Sequence, residues 1–332
     1  MKINGFSDAM KNKPNQTQLQ TQQFSNLFWA FTFLCSIYNL AMQTWTIQKL
    51  LIWTIEYLTK KGIEQPRLSA ELLLSHVLQM MRIELYTHFN KSVTIEQRER
   101  LKDLAKRAGQ QEPIAYLVGK TEIYSLELDV NSDCMIPRPE TELLVERAIE
   151  FLRARTGAQL VCDLCTGCGC IAVAIARNCP NAQIIATDIS ASALKVAAGN
   201  VEKHHLKDQI KLLCGDLFDP IMPYLEADKF DLIIANPPYV SADEFEALDK
   251  NVKDYEPKLA LFAGADGLDI HRRIIENAPS FLKSDGALML EIGFTQGQAI
   301  RELLEQAGIF YEVKIEKDFH NNDRIVSARR AP

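Results

Sequence analysis

The sequence predicts an α/β protein, a doubly wound, mostly parallel sheet of seven strands preceded by a small N-terminal helical domain. Two observations carry this reading. From residue 159 onward, short runs rich in Val, Ile and Leu alternate with amphipathic stretches, which is the pattern of a parallel sheet covered on both faces. Residues 45–110 instead place apolar side chains at helical spacing.

The chain has 332 residues and 47% apolar content, ordinary for a globular protein of two domains. A net charge of −6 argues against a nucleic-acid binder, which normally carries a basic face. Five of the eight cysteines lie between Cys162 and Cys179, which is no disulfide framework and points to a reducing compartment, the cytoplasm. The longest apolar run, Leu27 to Met42, is interrupted by Thr32, Ser36 and Asn39 and is short for a membrane span.

Taken in order, residues 1–41 read as a disordered or non-native extension, with translation expected to begin at Met42. No arginine precedes Arg67, against a mitochondrial transit peptide, and the apolar run lacks the small-residue cleavage site of a signal peptide. Residues 42–112 form the helical domain. Its first helix carries Ile47, Leu51, Ile55 and Leu58 and closes at Gly62; the second spans Arg67 to Gln79; the third is opened by a Thr94/Gln97 capping box and runs through Ala108. Residues 113–135 form a linking hairpin, with the pairing segment over Glu122 to Val130. Ile136-Pro137-Arg138-Pro139-Glu140-Thr141-Glu142 is a rigid loop leading into a helix with Leu143, Leu144, Ala148 and Phe151, and spacing alone does not separate a linker from a functional loop. Within residues 136–332 strands are expected at 160–164, 183–187, 210–214, 230–235 and 287–292, with a final pair at 310–316 and 324–329.

Four strand ends carry ligand chemistry. The loop Cys165-Thr166-Gly167-Cys168-Gly169 follows the first strand and opens a helix, and its small residues let a ligand approach the backbone. Asp188 ends the second strand, where a carboxylate can accept both hydroxyls of a ribose, although Ser190 beside it is a helix cap and strand-end acids often serve as caps. Asp216, after the third strand, can accept from an adenine amino group, with Leu217 as an apolar wall. Asn236 ends the fourth. No hydride partner is evident, so S-adenosylmethionine fits these residues better than NAD.

Asn236-Pro237-Pro238-Tyr239 is a stiff turn, because each proline fixes φ and Asn236 is pushed into an extended conformation. The Asn236 amide oxygen and the Pro237 carbonyl are two acceptors able to take both hydrogens of a planar NH2 group, and Tyr239 offers a flat face. Cys162, Cys165 and Cys168 mimic the opening of an iron–sulfur run, but the fourth ligand position, 172, is Ala. They are expected to bind no metal and to act as small buried hydrophobes. His204-His205 reads as a solvated helix end, and no histidine is assigned to catalysis.

Asn-Pro-Pro-Tyr resembles the signature of amino-methyltransferases acting on adenine, cytosine, guanine or glutamine nitrogens. Over residues 45–330 the chain resembles the protein-(glutamine-N5) methyltransferases that modify peptide chain release factors. Pro113 to Gly119, Ile136 to Glu142, Glu256-Pro257, Gly264 to Leu268, Leu290 to Gly293, Lys317-Asp318 and Asp323-Arg324 add to that likeness. The resemblance implies a class I, Rossmann-like methyltransferase domain at 136–332 and a substrate-recognition role for 42–112. It also implies cofactor contacts from the 165–169 loop, Asp188, Leu217 and Asn236, and a glutamine held by Asn236 to Tyr239. The implied partners are class I release factors, with no direct nucleic-acid binding and no membrane. Two departures stand out: Cys165 occupies a position where glycine is common and a positive φ would be strained, and Leu217 one that is sometimes aromatic. The rival readings are N5-glutamine methylation of a ribosomal protein, N6-adenine methylation of DNA, methylation of ribosomal RNA, and a non-enzymatic S-adenosylmethionine-binding module.

Overall fold

The computed structural model describes residues 45–224 and 229–332. The expected extension over 1–41 and the start at Met42 lie outside the described residues.

Among the described residues five helices, rather than three, precede the hairpin: α1 (Ile47–Lys60), α2 (Pro66–Leu78), α3 (Arg82–Thr87), α4 (Ile95–Ala108) and α5 (Ile114–Val118). Leu50, Leu58, Leu73, Leu74, Leu85 and Leu101 close one core between them. The capping box at Thr94 forms as expected, with Thr94 Oγ1 accepting from Gln97 N at 3.1 Å. Glu71 on α2 is buried against Arg82 of α3, 2.6 Å away, and also accepts a hydrogen bond from the Tyr86 hydroxyl. That ties in α3, which is too short to show a periodicity. α5 is the other helix missed from sequence. Its run Ile-Ala-Tyr-Leu-Val has strand-like composition, yet Pro113 starts a helix and Gly119, at φ +77°, ends it. The antiparallel pair β1 (Lys120–Ile123) and β2 (Leu126–Asp129) follows, at the position expected for the hairpin.

The second layer system begins with α6 (Thr141–Arg153). It continues through β3 (Gln159–Leu164), α7 (Cys170–Asn178), β4 (Ala182–Asp188), α8 (Ala191–Lys203), β5 (Ile210–Cys214) and β6 (Phe230–Ala235). Short helices α9 (Ala242–Ala247) and α10 (Lys250–Lys253) precede α11 (Asp269–Phe281), β7 (Leu282–Glu291), α12 (Gly297–Ala307), β8 (Phe310–Lys317) and β9 (Asp323–Arg330). The seven strands stand in the order β5-β4-β3-β6-β7-β9-β8, and β9 alone runs opposite to the other six. Alternation along each strand sends side chains to opposite layers. Val161, Leu232 and Ile234 pack with α6 and α7, whereas Cys162, Leu164, Ile233 and Ala235 pack with α11 and α12. The doubly wound sheet expected from sequence is therefore the observed one.

β7 starts five residues before the expected strand. Lys283-Ser284-Asp285-Gly286 is polar, but α11 runs straight into β7 and these residues form an irregularity opposite Phe230 and Leu232. Asp285 takes a φ of +63° there. Ser190 caps α8 as expected, accepting from Ala193 N at 3.1 Å. The His204-His205 pair is not simply a solvated end: His204 Nε2 lies 2.9 Å from the Glu127 carbonyl oxygen and ties α8 to β2. Among the described residues no helix is long and apolar enough to cross a membrane.

Candidate active site

After β3 the chain winds outward through β4 and β5, then returns to place β6 on the other side of β3. The loops leaving β3 and β6 part at that reversal, where open parallel sheets form a crevice. A cleft of about 260 Å³ lies there. Cys165, Thr166, Gly167, Cys168, Asp188, Asp216, Leu217, Asn236 and Pro238 all line it, so residues up to 73 positions apart in the chain share one wall. Gly169, Pro237 and Tyr239 are not among its lining residues.

The loop after β3 is pinned from below. Thr166 Oγ1 donates to Asp163 Oδ2 at 2.6 Å, and the same oxygen accepts from Ala172 N at 3.2 Å. Asp163 is fully buried, and burial pushes its carboxyl up to about 7. The strain expected at Cys165 is present, with φ at +56°. Leu217 across the cleft adopts +46°, a strain that its residue type does not announce. Left-handed backbone costs a non-glycine residue about 1–2 kcal/mol, and such strain gathers at functional sites. Gly169, at φ +81°, lets α7 approach α8, since a Cβ there would sit 3.2 Å from the Ala197 Cβ.

Asp188 Oδ2 accepts from Gly167 N and its Oδ1 from Ser190 N, each at 2.8 Å. The two bonds fix the carboxylate plane and leave each oxygen a second lone pair. Asp216 is partly committed, its Oδ2 pairing with Arg273 at 2.9 Å. Cys162 and Cys168 belong to opposite layers of the sheet, so the three loop cysteines do not converge on a common point.

Asn236 donates from Nδ2 to Thr141 Oγ1 at 3.2 Å. Its Oδ1 is buried with no hydrogen-bond partner among the described residues. Thr141 in turn donates to Glu291 Oε2 at 2.7 Å, and the Tyr239 hydroxyl donates to Glu291 Oε1 at 3.3 Å. Glu291 is fully buried, which pushes its carboxyl up to about 7 against the hydrogen bond from Thr141 and the nearby Arg324. Tyr239 is thus an anchor of the turn, with its carbonyl also accepting from Gln296 Nε2 at 2.9 Å.

The segments whose role the sequence left open belong to this frame. Arg138 donates to Glu256 Oε1 at 2.5 Å and Ile136 N to its Oε2 at 3.2 Å, strapping the proline-rich loop beside Pro257 at the cleft. Gly267 stands where a Cβ would lie 2.3 Å from the Tyr239 carbonyl oxygen. Thr141, Glu291, Glu256 and Arg273 were not marked as site residues in the sequence; the first three fall in segments of the family likeness, which was the signal available, and Arg273 falls in none.

The chain is 41% identical over 290 residues to the release factor glutamine methyltransferase of Rhodopirellula baltica, covering 86% of this chain and 97% of that one. It belongs to the release factor glutamine methyltransferase family. A second relative with that description, from Geobacter sulfurreducens, is 38% identical across 86% of this chain and 98% of its own. Family models for a PrmC N-terminal domain match residues 49–119, and for a methyltransferase small domain residues 140–253. The fold is shared with the hMettl16 catalytic domain, at 18% identity and a TM-score of 0.51 over 63% of this chain and 78% of that one. The chain is accordingly an enzyme of the methyltransferase class.

Proposed function

We propose that this chain transfers a methyl group from S-adenosylmethionine to the side-chain amide nitrogen of the glutamine in the Gly-Gly-Gln segment of class I peptide chain release factors. The observation that carries this is the Asn236 amide oxygen, buried at the cleft without a partner. It is the acceptor a substrate NH2 group needs, and it stands in a turn too stiff to find another.

The cleft suits the cofactor. Asp188 has lone pairs left for a pair of vicinal hydroxyls, Leu217 and Ile189 offer apolar surface, and Asp216 can accept an amino group through Oδ1 while Arg273 holds Oδ2. When bound, S-adenosylmethionine supplies an electrophilic methyl group on a sulfonium. The protein's task is the nucleophile. An amide nitrogen is weak because its lone pair is delocalised into the carbonyl. Asn236 Oδ1 and the Pro237 carbonyl accept its two hydrogens and draw the nitrogen toward a more electron-rich, tetrahedral form. Alignment of well-oriented groups contributes up to about 7–11 kcal/mol in such reactions. No side-chain base is needed, as the methylated amide loses its proton readily. His271, the buried histidine of α11, is unsuited in any case: burial pushes it down to about 4 and its Nε2 contacts the Glu291 carbonyl oxygen.

In this reading residues 42–112 are the substrate-recognition domain, 113–135 the link and 136–332 the methyltransferase domain, working in the cytoplasm without nucleic acid or membrane. The test is a parallel incubation of labelled S-adenosylmethionine with release factor, ribosomal protein, RNA and DNA. Label should enter release factor at the glutamine nitrogen and be absent when that residue is Glu, whose carboxylate has nothing to donate to two acceptors. Label in RNA or DNA alone would sink the assignment.

A further inference from the structure

We infer that Thr141 and Glu291 are positioning residues that set the polarity of the Asn236 side chain, holding its amino end inward so that its oxygen faces the methyl acceptor. The inference rests on the role proposed for Asn236 and adds what makes that role possible.

An asparagine amide is nearly symmetric in shape and opposite in polarity at its two ends. A holder for an NH2 group works in only one of its two orientations. Asn236 leaves β6 beside Glu291 at the end of β7, since Ala235 and Leu290 are paired across the two parallel strands. Thr141 opens α6 and lies within hydrogen-bond reach of both side chains. A threonine hydroxyl has one proton. A carboxylate can only accept, so Glu291 Oε2 takes that proton at 2.7 Å. Thr141 can then offer Asn236 only a lone pair, which binds Nδ2–H at 3.2 Å. Turning the amide over would set its oxygen against that lone pair and give up a hydrogen bond inside the fold.

The direction of the chain therefore begins at the Glu291 carboxylate. Tyr239 donates to it from the turn, Arg324 of β9 favours its charge, and Glu140 of α6 opposes it, while His271 of α11 touches its backbone carbonyl and is neutral. Burial holds its pKa up at about 7. Once protonated, Glu291 can donate to Thr141, whose hydroxyl then turns its own hydrogen toward Asn236. The favoured amide orientation inverts, and the substrate would meet a donor.

The experiment measures kcat, KM for unmodified release factor, the dissociation constant of S-adenosylmethionine and the pH profile of kcat for wild type, Thr141→Val, Thr141→Ser and Glu291→Gln. Thr141→Val keeps the shape and removes the relay, so kcat should fall about tenfold or more, as one lost hydrogen bond implies. Cofactor binding should be unchanged and Thr141→Ser should restore the rate. Glu291→Gln, which can either accept or donate, should lower kcat and flatten its acid limb. A Thr141→Val enzyme with wild-type kcat overturns the inference, as does one whose cofactor binding weakens in step with kcat, or one that serine does not rescue. If a valine variant fails to fold, an unaltered acid limb in Glu291→Gln is enough to overturn it. A wild-type enzyme inactive on release factor removes the proposed function and this inference together.

Discussion

At the scale of single residues, the cleft concentrates polar groups whose needs the free chain leaves unmet. An unsatisfied buried acceptor costs about 1–3 kcal/mol, and a substrate amide would relieve that cost at Asn236. Asn236→Ala should lower kcat about a hundredfold at saturating S-adenosylmethionine, comparable to losing one preorganised hydrogen-bonding group elsewhere, while its melting temperature stays near that of wild type. Near wild-type turnover by the alanine variant would contradict the acceptor pair. Asp163 carries a different signature. Its carboxyl is held up at about 7 by burial, well above the ordinary value of 3.8. The native state thus keeps a proton that the unfolded chain releases. The stability this confers is complete below about pH 4 and is lost as pH rises through about 7. Urea unfolding of wild type and Asp163→Asn across that range should show the wild type losing ground steadily with rising pH; a gap independent of pH would refute the argument.

At the scale of elements, the Asn-Pro-Pro-Tyr turn is supported by its neighbours as much as by its own prolines. Gln296 Nε2 donates to the carbonyl oxygens of Tyr239 and Gly267, and Gly267 presses its Cα against the turn. Gly62 and Gly267 share a left-handed φ, +72° and +76°, but an added Cβ meets nothing within 4 Å at Gly62. Gly62→Ala should cost only the backbone strain, about 1–2 kcal/mol. Gly267→Ala should cost more and also reduce methylation, which thermal melts and rate measurements on the pair would check. The same comparison explains what the sequence disclosed. Strands buried on both faces announce themselves as apolar runs, so β3 through β6 and the strand-end residues Cys165, Asp188, Asp216 and Asn236 were legible. α3 and α5 were not, because six or five residues are too few to show a helical period and α5 is rich in strand formers. The start of β7 was hidden by its polar Lys283 to Gly286. Thr141 and Glu291 were invisible as a pair, since 150 residues separate them and only the docking of α6 across the strand ends joins them.

At the scale of the whole molecule, the helical region meets the methyltransferase part where the Tyr255 hydroxyl donates to the Gln110 carbonyl oxygen at 3.1 Å. If residues 42–112 recognise the substrate, a short Gly-Gly-Gln peptide should show a much higher KM than intact release factor, with kcat less affected. Equal KM values for the two would argue against a recognition role. The sheet order has its own consequence for how this protein comes into being. β9 is the last of the seven sheet strands in chain order, yet it lies between β7 and β8 and pairs with both. Its Arg324 also reaches the Ile292 carbonyl oxygen and Asp318, close to where β7 ends at Glu291. During synthesis, β3 to β7 can pair as they emerge, whereas β8 has no neighbour in the sheet until β9 is made. A chain broken off before Asp323 would present an unpaired edge along β7, which invites association with other chains. The nascent protein is therefore exposed to aggregation until β9 is made, and the strand that closes this exposure is also the one that completes the frame of the Asn-Pro-Pro-Tyr turn.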